Sequence, residues 1–451
     1  ARRAFAACAL YPVLAGSALG DIGVDALAEA VGALCRTDYA RREGEPFSAK
    51  AYRVRRVGGV RYTYVKVTSG VLRARDEVRT RSGVCKVAAI LAPQGGRLLP
   101  MGEAHAGQTA ALAGLSARPG ERIGDGFGLE APETVPLMSV QVEPTAPLTQ
   151  SALLAHLREM EEEDPLLSVR PEADGVSVGV MGAVQVEVLQ GILAARFGDV
   201  VRMCPPHVLY KETIAAPVVG IGHYEPLRHY AEVWLKLEPG APGSGVSFAA
   251  DCPPNSLEEN WQRLIRTHVF ERAHPGVLTG SPLCDVRIRL IAGRAHLKHT
   301  EGGDFREATC RAIRNALMQA ENVLLEPVVR FELAMPNEAL ARVTGELLRI
   351  GAQLDTSETD GGETTLTGRC TAAMFWDYPT RFAASTRGHG RIASRFDRYE
   401  PCKNQDDIVR QSGYDPLSDT LNPPGSVFCS HGAGFYVAWD HVREWAHCEV
   451  E

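Results

Sequence analysis

The sequence has no apolar run approaching the roughly 20 residues that a membrane-spanning helix needs. It also has no Cys-x-x-Cys pair, and its 11 cysteines are an odd number, which argues against both a disulfide framework and a zinc ribbon. This cysteine usage is typical of a reducing compartment, so we expect a cytoplasmic protein. The net charge is only −7, which excludes indiscriminate coating of nucleic acid and leaves local basic surfaces as the places for RNA contact.

An initial methionine is absent, and the first 18 residues only imitate a secretory signal, because Tyr11-Pro12 interrupts their apolar run. The first residues of the sequence therefore indicate that the chain is a piece of a longer protein. With 451 residues the chain is too long for one ordinary hydrophobic core, and we expect three or more domains.

Short runs of alternating polar and apolar residues fill the segment 45–130, with turns at glycine pairs such as Gly58-Gly59 and Gly95-Gly96. This pattern indicates an antiparallel barrel or sandwich. Two later segments, 137–206 and 326–400, each show the order βαββαβ, which is the ferredoxin-like or split-βαβ arrangement. The fold class predicted is multidomain α+β, with a β-barrel domain and two ferredoxin-like domains flanking a mixed α/β domain at 208–325.

Six short strings in this order resemble the C-terminal half of elongation factor G and its relatives, the TetM/TetO-type ribosomal protection proteins. They are VTSGVL, EEEDPLLSV, GAVQVEV, VLYKETI, LLEPVVRFEL and RGHGRIASRFDRYEP. The resemblance implies a translation-factor barrel at 45–130, an elongation factor G domain IV-like segment at 208–325 and a C-terminal extension at 401–451.

The family's N-terminal domain is a GTPase, and the resemblance implies that residues 1–40 are its remnant. Gly16, Ser17 and Ala18 look like the family's guanine-binding turn. The sequence has no Gly-x-x-x-x-Gly-Lys-Ser/Thr loop to cradle phosphates. GTP and magnesium are therefore cofactors of the full-length family, and none is expected for this chain alone.

The segment 293–305, GRAHLKHTEGGDF, is predicted to be a surface tip between a strand and a helix, with Asp304 as the helix N-cap. Between residues 287 and 314 the chain has an excess of four positive charges, which suits contact with phosphates. The predicted rRNA-contacting residues are His296, Leu297, Lys298, His299, Thr300, Glu301, Gly302 and Gly303.

Two other interpretations of this loop stay open. In the first interpretation, it is a solvated loop whose charges only maintain solubility. Alternatively His296, His299 and Glu301 hold a metal ion, and the protein is a metal-dependent hydrolase. The glycine-flanked loop lacks a regular face for such ligands, so we predict no metal site.

Further candidate surfaces follow from glycine-rich and basic segments. The first, in 238–248, falls where the family has a second tip loop, although an ordinary hairpin connection explains it equally well. Its candidate residues are Gly240, Pro242, Gly243 and Ser244. A phosphate-facing basic edge is predicted at Arg387, Arg391 and Arg395.

The last fifty residues differ from elongation factor G. Cys429 and His431 lie two apart, which resembles a nucleophile and base, but no orienting acid accompanies them. The aromatic residues there favour a hairpin and a helix packed onto the body.

The resemblance implies a monomeric ribosome-binding translation factor whose partners are 16S and 23S rRNA and the ribosomal proteins of the factor-binding site. Its domain IV-like tip would enter the decoding centre, as in the members that release tetracycline. An elongation factor G paralogue active in translocation or ribosome disassembly is the alternative within the family.

Overall fold

The structure, a computed structural model, describes residues 2–35, 37–129, 135–172 and 175–448. The chain divides into two units, one of Ala1–Glu133 with Ser151–Val169 and one of Thr134–Gln150 with Arg170–Glu451. The predicted domain ends at residues 1, 130 and 451 lie outside the described residues. Among the described residues, no helix is both long enough and apolar enough to cross a membrane.

The first unit holds the predicted β-barrel domain. Its helices are α1 (Arg2–Ala6), α2 (Val24–Leu34) and α3 (Tyr39–Arg42). Its strands are β1 (Ser48–Val57), β2 (Val60–Ser69), β3 (Val71–Arg73), β4 (Glu77–Thr80), β5 (Gly83–Lys86), β6 (Ala89–Gln94), β7 (Arg97–Pro100), β8 (Glu103–His105), β9 (Thr109–Ala113), β10 (Glu121–Gly124) and β11 (Gly128–Leu129). The main sheet runs in the order β11-β10-β1-β2-β9-β6-β7, and the β3–β8 and β4–β5 ribbons complete the wall around one apolar core.

Helix α4 (Gln150–Glu163) is acidic, and most of it belongs to the first unit. Ion pairs hold it against the barrel domain. Glu162 accepts hydrogen bonds from Arg56 and Arg61 at 3.1 and 3.2 Å. A short 3-10 turn, Pro165–Leu167, follows the helix.

The second unit begins with the sheet of the first ferredoxin-like segment. Its elements are β12 (Met138–Pro144), β13 (Arg170–Pro171), β14 (Val176–Val180), α5 (Ala183–Phe197) and β15 (Val201–Val208). The sheet order β13-β14-β12-β15 places the first and third strands in the centre, as the predicted βαββαβ topology requires. The central strands are apolar because the valines at alternate positions point into the core.

The mixed α/β domain follows. Its elements are β16 (Lys211–Ile214), β17 (Val218–Tyr224), β18 (Ala231–Pro239), β19 (Val246–Ala250), α6 (Glu259–Phe270), β20 (Val286–Ala295) and α7 (Gly302–Gln319). Helix α7 lies directly on β17, since Gly220 and Gly222 leave no side chain between the strand and the helix backbone. The core between α6, α7 and the sheet is made of alternate residues of β18 and β20.

The second ferredoxin-like segment has the expected sheet. Its elements are β21 (Asn322–Pro336), a 3-10 turn (Asn337–Ala339), α8 (Leu340–Arg349), β22 (Gln353–Asp360), β23 (Glu363–Thr371), α9 (Ala372–Phe375), α10 (Tyr378–Ser385) and β24 (Arg391–Pro401). Strand β21 pairs with β23 and β24, and β23 pairs with β22. The segment 372–385 is divided into two helices, because a proline near the start of α10 separates them.

Strand β21 continues through the predicted domain boundary between residues 325 and 326. Its first residues pair with β16 of the mixed domain, and its later residues pair with β23 and β24. The two domains therefore share a continuous strand at this boundary.

The C-terminal extension belongs to the mixed domain. Its elements are α11 (Gln405–Ser412), β25 (Ser426–Ser430), β26 (Ala433–Val437) and α12 (Val442–Trp445). Strand β25 joins the edge of β17, so that the sheet reads β19-β20-β18-β17-β25-β26. Phe428, 2% exposed, packs with Ile221 and Trp234 in an apolar cluster, as the aromatic content of the extension predicts.

Candidate functional site

The loop 296–301, which we call the tip loop, connects the end of β20 to the start of α7. Leu297 is fully exposed, and Lys298 beside it is exposed as well. Turns rich in polar residues at the end of a sheet form surface tips, as the sequence predicts. The tip loop therefore presents Leu297 and Lys298 to solvent between a strand and a helix.

Hydrogen bonds inside the tip loop hold its shape. The backbone N–H of His296 donates to Thr300 Oγ1 at 2.7 Å, and the Thr300 hydroxyl donates to the carbonyl oxygen of Tyr230 at 2.6 Å. The imidazole rings of His296 and His299 lie 4.6 Å apart between centroids. The structure thus brings these two predicted residues together, with their ring planes tilted by 32°.

Asp304 is not the N-cap of α7, which corrects the prediction. Glu301 is the N-cap, and Asp304 occupies the third helical position, where its Oδ2 accepts the Glu301 backbone N–H at 2.8 Å. Its other oxygen faces His229 Nδ1 at 2.8 Å, and Asp304 is 3% exposed. The reason is that Gly302 and Gly303 already have helical geometry and begin the helix.

The predicted excess of positive charge is mostly absent from the tip. Arg289 and Arg306 each pair with an acidic side chain of the same domain. Arg311 and Arg314 are only 9% and 3% exposed and donate hydrogen bonds to backbone carbonyl oxygens. Helix periodicity explains this, because α7 packs these arginines against the body. The exposed basic side chains beside the tip loop are Arg294 and Lys298.

The predicted second tip loop, with Gly240, Pro242, Gly243 and Ser244, does not lie beside the first. Strand β18 pairs with β20 from Ala231↔Ala295 to Pro239↔Val286, so the two loops are at opposite ends of the sheet. Two backbone donors of the second loop are also bonded within the domain. The Asp285 carboxylate accepts the N–H groups of Gly243 and Gly245 at 3.0 and 2.8 Å.

A different segment, 251–258, lies at the same end of the sheet as the tip loop, and no sequence pattern indicated it. Strand β19 runs parallel to β20, with Ala250 opposite Leu290, so the chain leaves β19 towards the tip. Leu257 packs against Gly293 there. Parallel pairing of two short strands has no local sequence signal, and the prediction therefore missed this segment.

The predicted basic edge is partly paired. Arg391 and Arg395 lie on one face of the edge strand β24, and Arg391 donates to Glu363 at 2.8 Å. Arg387 is exposed in the turn before β24. Arg395 lies opposite Arg330 of β21, which leaves two positive side chains side by side.

The predicted guanine-binding turn, Gly16, Ser17 and Ala18, is exposed. Ser17 pairs with Ile22 in a β-bridge, and its Oγ accepts the Gly20 backbone N–H at 3.2 Å. His431 lies in the turn between β25 and β26, while Cys429 is inside β25, so the two do not share a strand face.

A buried polar cluster connects β17 and β18 to the C-terminal extension. His223 is fully buried, and its Nδ1 lies 2.7 Å from Glu232 Oε2. Glu232, also fully buried, accepts the backbone N–H groups of His447 and Cys448 at 2.8 and 2.7 Å and Trp234 Nε1–H at 2.9 Å.

Burial alone would raise the pKa of the Glu232 carboxyl. The hydrogen bonds from His223, the His447 backbone, Trp234 and the Cys448 backbone outweigh burial and lower this pKa to about 2. Burial also raises the pKa of the Tyr230 hydroxyl, which lies 3.0 Å from His447 Nδ1. Glu232 is therefore an anion that holds residues 447 and 448 on the sheet.

Among the described residues, the possible metal-binding group of three side chains is His223, Glu225 and His447, whose ligand atoms lie within 4.8 Å of one another. The alternative set of His296, His299 and Glu301 does not form such a group in the described part of the chain.

Two segments of the chain are similar to known protein families. Residues 206–321 match the family "Elongation factor G, domain IV", and residues 323–408 match "Elongation factor G C-terminus". A solved crystal structure from Thermus thermophilus is similar in fold, with a TM-score of 0.52 and 24% identity over 91% of this chain. The chain spans 64% of the length of that structure.

Proposed function

Because the matched domains support an elongation factor G-like translational GTPase family, we propose that this chain is the ribosome-binding part of a translation factor of that type. The observation that carries the proposal is the structured, exposed tip loop within the segment matched by elongation factor G domain IV. In this proposal the tip loop contacts rRNA at the decoding centre of the small subunit.

The chemistry of the tip loop supports RNA contact. The paired rings of His296 and His299 offer a stacking face for unpaired bases, and Lys298 and Arg294 offer donors to phosphates. The segment 251–258 lies at the same end of the sheet and widens this surface.

Within this class we propose the ribosomal protection type, in which insertion of the tip releases tetracycline. Support comes from the C-terminal extension, which continues beyond the matched C-terminal domain and packs onto the mixed domain. The full-length protein should then relieve tetracycline inhibition of translation in a purified system. Stimulated translocation or ribosome splitting without relief would instead favour an elongation factor G paralogue.

The full-length protein would use GTP and magnesium, act as a monomer, and touch 16S and 23S rRNA and the proteins of the factor-binding site. The basic pair of Arg395 and Arg330 and the exposed Arg387 are proposed contacts for the large-subunit rRNA. Only the turn of Gly16, Ser17 and Ala18 represents the nucleotide site in this chain.

Replacing His296, Lys298 and His299 together by alanine should weaken binding of the chain to ribosomes. The unfolding free energy should change by under about 0.5 kcal/mol, since His296 and Lys298 are exposed, His299 is half-buried and surface substitutions cost little. Losing one phosphate contact should also flatten the log–log salt dependence of binding by roughly 0.7. Equilibrium binding to ribosomes at several salt concentrations measures both effects.

His431→Ala, in the β25–β26 turn, is the matched control for loss of an exposed histidine and should bind as the unmodified chain does. A photoreactive amino acid at position 297 should crosslink to small-subunit rRNA, whereas the same group at position 243, at the other end of the sheet, should not. Equal affinity of the triple variant together with no crosslink from position 297 would contradict the proposal.

We also expect this chain neither to bind nor to hydrolyse GTP, since phosphate-cradling amides and a lysine are missing from its sequence. Equilibrium binding of a fluorescent guanine nucleotide tests this. Micromolar affinity would show that the Ser17 turn is part of a functioning nucleotide site.

A further inference from the structure

We propose that His223, Glu225 and His447 form a zinc site that fastens the C-terminal extension to the mixed domain. His223 is on β17, Glu225 follows that strand directly, and His447 lies just after α12. The proposal does not depend on ribosome binding, because it concerns the attachment of two parts of one domain.

The ligand atoms already have suitable spacing. His223 Nε2 lies 3.1 Å from Glu225 Oε2, and the third ligand atom, on His447, is within 4.8 Å of both. Zinc bonds to nitrogen and oxygen are about 2.0–2.2 Å, so two ligands of one tetrahedral zinc ion are roughly 3.3 Å apart. A small rotation of the exposed His447 ring completes three ligands.

Each histidine also has a hydrogen-bond partner on its Nδ1 atom. Glu232 holds His223 by Nδ1 at 2.7 Å, which leaves Nε2 for the ion. The Tyr230 hydroxyl lies 3.0 Å from Nδ1 of His447, which likewise leaves Nε2. The carboxylate–histidine arrangement at His223 is the one that fixes the tautomer and the ring direction of a metal ligand.

The His223 ring is fixed by packing as well. It stacks on Phe428 of β25 with centroids 4.1 Å apart and an interplanar angle of 5°. His447 meets it edge-on, at 4.8 Å and 81°. Two imidazoles and one carboxylate favour zinc over magnesium or calcium, which prefer oxygen ligands.

Three protein ligands leave a fourth tetrahedral position. His447 lines a surface cavity together with Tyr230, Arg294, His296 and Lys298, so a water molecule can complete the site from that side. Because the ligands come from β17, from the residue after it and from the C-terminal extension, a bound ion would join the extension to the sheet of the mixed domain.

The test is to treat the full chain with a chelator and then to measure zinc binding by calorimetry. The absorption spectrum is also recorded with Co²⁺ in place of Zn²⁺. We expect one ion per chain, with a tetrahedral cobalt spectrum lacking thiolate charge-transfer bands. His447→Ala and Glu225→Gln should each weaken binding by at least about 100-fold, more than loss of an outer partner does.

The double variant of His296→Ala and His299→Ala is the matched control, since it removes two nearby histidines outside the site and should bind zinc normally. Circular dichroism confirms that each variant is folded. Zinc should also slow removal of the C-terminal residues by carboxypeptidase in the unmodified chain and not in His447→Ala.

Failure to bind one zinc ion with a Kd below about 10 µM would overturn the proposal and leave His223 as an imidazole shared between two carboxylates. Unchanged affinity in His447→Ala would overturn it too. Loss of binding in the His296/His299 double variant alone would place the ion in the tip loop.

Discussion

Glu232→Ala is expected to release the C-terminal extension from the mixed domain and to lower the unfolding free energy of this domain by about 3–5 kcal/mol, even without metal. The carboxylate is fully buried and accepts four donors, two of which are the backbone N–H groups of His447 and Cys448. Alanine leaves the buried side-chain donors of His223 and Trp234 without a partner, and each such group costs about 1–3 kcal/mol.

Glu238→Ala, on the same strand, is the matched control. Glu238 is partly exposed and pairs with Lys236 and Arg289 at the surface, so its loss should cost at most about 1 kcal/mol. Hydrogen exchange by mass spectrometry should show rapid exchange over 426–448 in Glu232→Ala and not in Glu238→Ala. A Glu232→Ala variant whose extension stays protected would show that the apolar cluster around Phe428 holds it unaided.

Gly222→Ala is expected to destabilise the mixed domain by about 3 kcal/mol or more, because an added Cβ would collide with the carbonyl oxygen of Ala308 and the backbone nitrogen of Ala312. These are backbone atoms of α7 and have no rotamer by which to move away. Since α7 begins at the tip loop, we also expect the displaced helix to weaken ribosome binding.

Gly303→Ala, a substitution in α7 itself, provides the comparison. A Cβ there meets nothing within 4 Å, and alanine favours helices over glycine by up to about 1 kcal/mol, so stability should stay equal or rise. Urea unfolding followed by tryptophan fluorescence measures both variants. Equal stability of Gly222→Ala and the unmodified chain would mean that α7 can move away from β17 at little cost.

Much of the fold could be predicted from sequence, since strands and helices leave periodic patterns of apolar residues. The βαββαβ order of both ferredoxin-like segments agrees with the sheet orders of the structure. The start of α7 at Gly302 was missed because element ends depend on single residues and capping contacts.

The candidate site was predictable only in part. The tip loop is where the strand and helix patterns of the sequence predict it, between β20 and α7. Its surroundings were not predictable, because the arginines of α7 count as positive charges in the sequence although Arg311 and Arg314 are buried. Counting charges along a chain does not show which helix face is turned inward.

The sequence alone determined the succession of elements, the lack of a phosphate-binding loop and the polar turn between β20 and α7, since each of these depends on neighbouring residues. Only the tertiary structure decided which distant segments meet. Pairing of β25 with β17 brings the C-terminal extension onto the mixed domain and places His447 beside His223. Strand pairing across long sequence separations depends on backbone hydrogen bonds that every residue can make, so no local pattern specifies it.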